Sequence, residues 1–207
     1  MTQKERQERS RREIFQAAME EFGANDYGQV TMEAICTRHG ISKGMMYHYY
    51  SNKDELFLLC VEDTMAALRA YLERQCAELA QRPPVEAMRE FFLCRERFFD
   101  GQPGRKRVFE NALLRPPKQL ASRIQEMRRP IRELNWRFLE EMVGRMELRP
   151  GMDKERAGRY LESLEDVFFS VVTQYRAQGK PEDVHSLLET AGEVLEMVLF
   201  GVVRQAR

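Results

Sequence analysis

The chain has 207 residues, 43% of them apolar, and its acidic and basic side chains balance to a formal net charge of zero. That length and composition allow one sizeable core plus a small module, and neutrality excludes a polycation that coats nucleic acid or anionic lipid unselectively. The four cysteines, Cys36, Cys60, Cys76 and Cys94, include no Cys-x-x-Cys pair and fall within helical patterns, so buried reduced thiols are expected rather than a disulfide or zinc framework.

No run of alternating β-branched residues stands out, and the fold class expected is all-α, with about nine helices. The first should span about 5–22, burying Ile14, Ala17, Ala18 and Phe22. Its start is basic: Lys4, Arg6, Arg9, Arg11 and Arg12 stand against Glu5 and Glu8. Such an arm can neutralise phosphates and add salt-dependent affinity. Over residues 1–53 the excess is only eight Lys and Arg against seven Asp and Glu, so any attraction to DNA is local.

Residues 31–56 carry the densest signal. Thr31 can cap a short helix whose apolar residues Met32, Ile35 and Cys36 recur at helical spacing. Gly40 falls where that helix must stop and reverse, which requires a positive φ, and Ile41 can plug the corner. Ser42 can cap a second short helix over about 43–49, and Asn52 with Glu55 reads as a capping-box variant opening a long helix. Helix, glycine turn and helix form the helix-turn-helix signature, whose second helix enters the DNA major groove. An ordinary helical hairpin would place Leu and Ala on that second helix; this one carries Lys43, Tyr47 and His48, whose polar tips suit phosphates and base edges.

Further along, a fourth helix is expected over about 53–81, ended by Pro83-Pro84, and a fifth from there to about 99. Gly101-Gln-Pro-Gly104 reads as a turn, a sixth helix as about 106–114, and a seventh as about 119–147, kinked or split by Pro130. Two last helices, about 154–178 and 181–204, carry long apolar stripes and should pair as an antiparallel hairpin. On the fifth helix Arg95 lies at the centre of an apolar arc of Met88, Phe91, Phe92, Phe98 and Phe99. A guanidinium there needs a buried acidic partner, for which Glu165 and Asp166 are candidates, or it faces a cavity.

The three histidines, His39, His48 and His185, make no metal spacing, and no nucleophile elbow, P-loop or dinucleotide fingerprint occurs. No enzyme activity, cofactor or metal is therefore expected. The charged N-terminus lacks a signal-peptide core, and no apolar run reaches bilayer length, so a cytoplasmic protein without a membrane partner is expected.

The chain resembles the TetR family of bacterial transcriptional regulators. The residues that carry the resemblance are Ile14 to Phe22, Thr31, Ile35, the run Gly40-Ile-Ser-Lys-Gly-Met-Met-Tyr47, the ring of Tyr50 and Ser51-Asn-Lys-Asp-Glu-Leu56. Cys36, His39 and Met45 depart from the small residues usual at their positions. The resemblance implies a helix-turn-helix DNA-binding domain at 1–52 and a helical effector and dimerisation domain at 53–207. It further implies a repressor released from a pseudopalindromic operator by a small-molecule effector. A homodimer through the last two helices would set two recognition helices about 34 Å apart, one turn of DNA. The alternative is a dimeric helical interaction protein whose motif no longer binds DNA. By their chemistry, Thr31, Tyr47 and Lys53 are expected at phosphates, and Lys43, Met45 and His48 at base edges, with Ser42 as the cap. Effector-regulated relatives line a cavity from their middle helices, which here points to Phe91, Trp136 and Phe168, with Arg95 as the polar anchor for an anionic ligand.

Overall fold

The computed structural model describes residues 2–160, 163, 185, 192–195 and 197. These form seven α-helices and two short 3-10 turns, followed by a helical segment at 154–160, and no strand occurs among them. The helices are α1 (Gln3–Ala24), α2 (Met32–His39), α3 (Lys43–Tyr49), α4 (Lys53–Leu79), α5 (Pro84–Asp100), α6 (Pro103–Leu113) and α7 (Ala121–Gly144). The 3-10 turns are Tyr27–Gln29, ahead of α2, and Lys118–Leu120, ahead of α7.

The chain divides into two compact units, Met1–Ala67 with Phe99–Arg128, and Leu68–Phe98 with Arg129–Arg207. In the first, α1 packs along α6 and against α2 and α3. Its interior holds Ile14, Phe22, Ile35, Met46, Leu56 and Phe57, all fully buried, and the Phe22 and Phe57 rings meet at 5.0 Å. In the second, Met88 and Phe91 of α5 are fully buried and Phe91 lies 4.4 Å from the Phe138 ring of α7.

Three local expectations change. The Gly101–Gly104 stretch is not all turn: Pro103 and Gly104 open α6, because proline at the first helical position lacks only an N–H that would have no partner there. Pro130 does not split α7, which runs through it. At the start of α4, Asn52 Oδ1 accepts the Glu55 amide at 3.1 Å, but the Glu55 carboxylate returns to the Ser51 amide, at 2.7 Å, one residue earlier than a capping box requires. Of the cysteines, Cys36, Cys60 and Cys94 are buried and Cys76 is half-buried, all as free thiols. The last two expected helices lie, beyond 154–160 and a few later residues, outside the described residues.

Candidate nucleic-acid interface

Every turn of the motif is fixed by short-range chemistry. The Thr31 hydroxyl accepts the Ala34 amide at 3.1 Å and starts α2. Gly40 ends it at φ 67°, where a side chain would crowd the following carbonyl. The Ile41 amide then returns to the Cys36 carbonyl at 3.0 Å, and the buried Ile41 side chain closes the corner. Ser42 starts α3 by accepting the Met45 amide at 3.1 Å. Each capping hydroxyl spends a lone pair on the cap and keeps its own hydrogen to donate outward.

α3 is thus presented as a short, rigid rod anchored by one fully buried side chain, Met46. Its other face is open. Lys43, Gly44 and His48 are exposed, Tyr47 is 52% exposed, and Met45 is half-buried. The structure brings Ser42, Lys43, Met45, Tyr47 and His48 together on this helix and its cap, with Thr31 exposed at the start of α2.

Lys53 is placed differently from a free phosphate ligand. Its ammonium donates to the carbonyls of Tyr27 and Val30, both at 3.1 Å, and lies 4.3 Å from the centre of the Tyr27 ring. It ties the start of α4 to the 3-10 turn ahead of α2. The same tyrosine donates its hydroxyl to Asp54, while Gln119 Nε2 donates to the Tyr27 oxygen at 3.1 Å and to Asp54 at 3.3 Å. Burial, then the neighbouring carboxylate, pushes the Tyr27 hydroxyl well above its ordinary pKa, so it stays a donor.

Some of the site was not foreseen from sequence. Buried Glu21 of α1 takes Arg38 at 2.6 Å and His39 Nε2 at 3.2 Å, pinning the end of α2. His39 is therefore turned towards α1. Lys43 pairs with Glu33, in the first turn of α2. The Arg11 guanidinium lies 5.5 Å over the Tyr49 ring, which sets one cation of the basic arm beside α3. That arm is helical rather than frayed, since Thr2 and Glu5 form a full capping box.

In the second unit Phe91 is fully buried, Arg95 is 8% exposed and Trp136 is half-buried. The Arg95 guanidinium donates to the Phe91 carbonyl and, at 2.6 Å, to Asn135 Oδ1, and it faces the Phe91 ring at 4.5 Å and the Phe92 ring at 5.2 Å. Desolvation pushes its pKa down, and no carboxylate touches it among the described residues. Phe168, Glu165 and Asp166 lie outside those residues. Among the described residues no helix is long and apolar enough to cross a membrane, and no group of His, Cys, Asp and Glu could hold a metal.

Residues 14–60 match the model of the bacterial regulatory proteins, tetR family. None of the curated protein sequences compared with the chain matches it significantly. Among solved structures, the chain is similar to SmeT, the repressor of the Stenotrophomonas maltophilia multidrug efflux pump SmeDEF, at 23% identity and a TM-score of 0.64, covering 95% of this chain and 91% of that one. SmeT in complex with triclosan gives 23% identity and 0.60, over 95% and 93%. FadR of Thermus thermophilus, a TetR-family transcriptional repressor in complex with lauroyl-CoA, gives 27% identity and 0.59, over 95% and 97%.

Proposed function

We propose that the chain is a regulator of the tetR family, which its residues 14–60 match, and that it represses transcription as a homodimer on a pseudopalindromic operator and releases it on binding a small molecule. The observation that carries the reading is the exposed polar face of α3, held out by two hydroxyl caps and the Gly40 corner. Residues 1–52 carry the DNA-binding function. α6 and the first turns of α4 and α7 pack with them in one unit and form their foundation. Residues 53–207 carry the effector and dimer functions. DNA as partner places the protein in the cytoplasm.

In the groove, Thr31 and Tyr47 contact phosphates, Lys43 and His48 reach base edges, and half-buried Met45 offers an apolar contact such as a thymine methyl. Ser42 keeps the helix start in place. Lys53 can add a phosphate contact by giving up one of its two carbonyl bonds.

The effector site takes Phe91, Trp136 and Phe168 as apolar walls and Arg95 as anchor. A buried guanidinium whose hydrogen bonds among the described residues go to neutral oxygens favours an anionic or strongly accepting ligand group. Release then follows if the ligand prefers a conformer with the wrong spacing of recognition helices; a switch from 99:1 to 1:99 requires about 5.5 kcal/mol of differential affinity. A mobility shift with DNA lying upstream of its own reading frame tests the core of this reading. Retardation that survives excess unrelated duplex supports it, and retardation equal on every duplex at moderate salt overturns the specificity.

A further inference from the structure

The helix-turn-helix motif holds two Lys or Arg residues between 31 and 49, Arg38 and Lys43, and both are already bound to carboxylates of the chain. Arg38 meets Glu21, which is buried, and so serves the fold. Lys43 is the first residue of α3, and Glu33 stands in the first turn of α2 across the corner. Their side chains are 63% and 67% exposed, so this pair neither fills a core nor satisfies a buried group. An exposed ion pair contributes little to stability, which leaves its effect on the ammonium as the property that matters.

We propose that Glu33 is an internal competitor for DNA, holding the Lys43 ammonium so that any duplex engaging α3 must first displace a carboxylate. The inference rests on the reading of α3 as the recognition helix. Lys43 has three donors but one compact charge, and Glu33 takes one of those donors and offsets the charge that a phosphate or a guanine edge would meet. Each partner shifts the other in the direction of a real pair: Glu33 is held below and Lys43 above its ordinary pKa, first by the hydrogen bond and then by charge. In the complex Glu33 is left beside the polyanion, a repulsion that scattered DNA does not offset and a matched site does through its base contacts. The basic arm supplies attraction on any duplex; the Lys43 and Glu33 pair moderates what α3 adds to it.

The test uses the intact chain and the duplex it enriches most from a random-sequence pool, with fluorescence anisotropy as readout. Glu33→Gln should tighten binding by roughly twofold to fivefold at low salt, the range of an exposed pair, and the gain should shrink as salt screens it. Glu33→Gln in a Lys43→Gln background should gain clearly less, keeping only the relief of repulsion from the phosphates. Thermal unfolding should stay within roughly 4 °C of the parent for every variant, since both side chains are exposed and Glu33 adds only a first-turn charge to the start of α2. Unchanged affinity in Glu33→Gln, or an equal gain with and without Lys43, overturns the proposal; the second result would assign the effect to bare repulsion. If the parent enriches no duplex at all, the DNA-binding reading itself fails, a result separable from these.

Discussion

A Cβ built on Gly23 of α1 would stand 2.7 Å from the Cα of Gly104 in α6, whereas one built on Gly104 would stand 3.8 Å from the Cα of Gly23. The two helices cross backbone against backbone, and the crossing is not symmetric. Gly23→Ala must force α1 and α6 apart and should cost about 1–3 kcal/mol, as overpacking does. Gly104→Ala meets only ordinary contact and should be neutral or stabilising by about 0.4–1 kcal/mol. Thermal unfolding of the two variants checks the asymmetry, and equal losses would contradict it.

Gly44 makes the opposite case. It lies on the exposed face of α3, and an added Cβ would meet nothing within 4 Å in the free chain. Gly44→Ala should raise stability by about 0.5–1 kcal/mol, or roughly 1–4 °C. If this face enters the groove, the methyl stands between the helix and the DNA, so affinity should fall while stability rises. A variant, taken as far as Gly44→Leu, that binds DNA like the parent would place the contact on another face.

How much of this was legible in the sequence follows from distance along the chain. The caps at Thr31 and Ser42 and the glycine at 40 act over three or four residues, and each is where spacing placed it. The Gly23 to Gly104 crossing, the Glu21 bonds to Arg38 and His39, and the Lys53 bonds to Tyr27 and Val30 depend on packing that brings distant segments together. No local pattern marks them. Composition alone misread Gly101-Gln-Pro-Gly104, because glycine and proline there serve a close helix crossing and a helix start. For Arg95 the helical arc correctly implied burial, but the choice of Asn135 as partner belongs to the packing of α5 on α7.

Stability should fall in alkali. Burial lifts the Cys76 thiol from 9.0 to about 11 and pushes Cys60 and Tyr27 higher still. Each group keeps its proton longer folded than unfolded, so its contribution is complete below the unfolded value and is lost as pH climbs towards the folded one. The melting temperature should therefore decline from about pH 9 upward, the thiols acting before the tyrosine. Cys76→Ala should flatten the early part of that decline. A melting temperature constant between pH 8 and pH 11 would contradict these assignments.

Leu195 is 1% exposed and Met197 is 74% exposed. Leu195→Glu would bury a carboxylate inside the chain and disrupt the fold, whereas Met197→Glu changes only the outer surface. If the proposed dimer uses this helix, Met197→Glu should shift sedimentation from dimer to monomer with little change in unfolding temperature. A folded variant that stays a tight dimer would move the interface elsewhere.

In the proposed regulator α3 reads a defined sequence as one half of a symmetric pair. Sequencing the duplexes that the intact chain enriches from a random pool tests it most directly. The expected result is an inverted repeat whose half-site centres lie a whole number of helical turns apart, about 34 Å or a multiple, and loss of that enrichment in Tyr47→Ala with His48→Ala. Enrichment of no sequence, or of the same repeat by the parent and by that double variant, would contradict it.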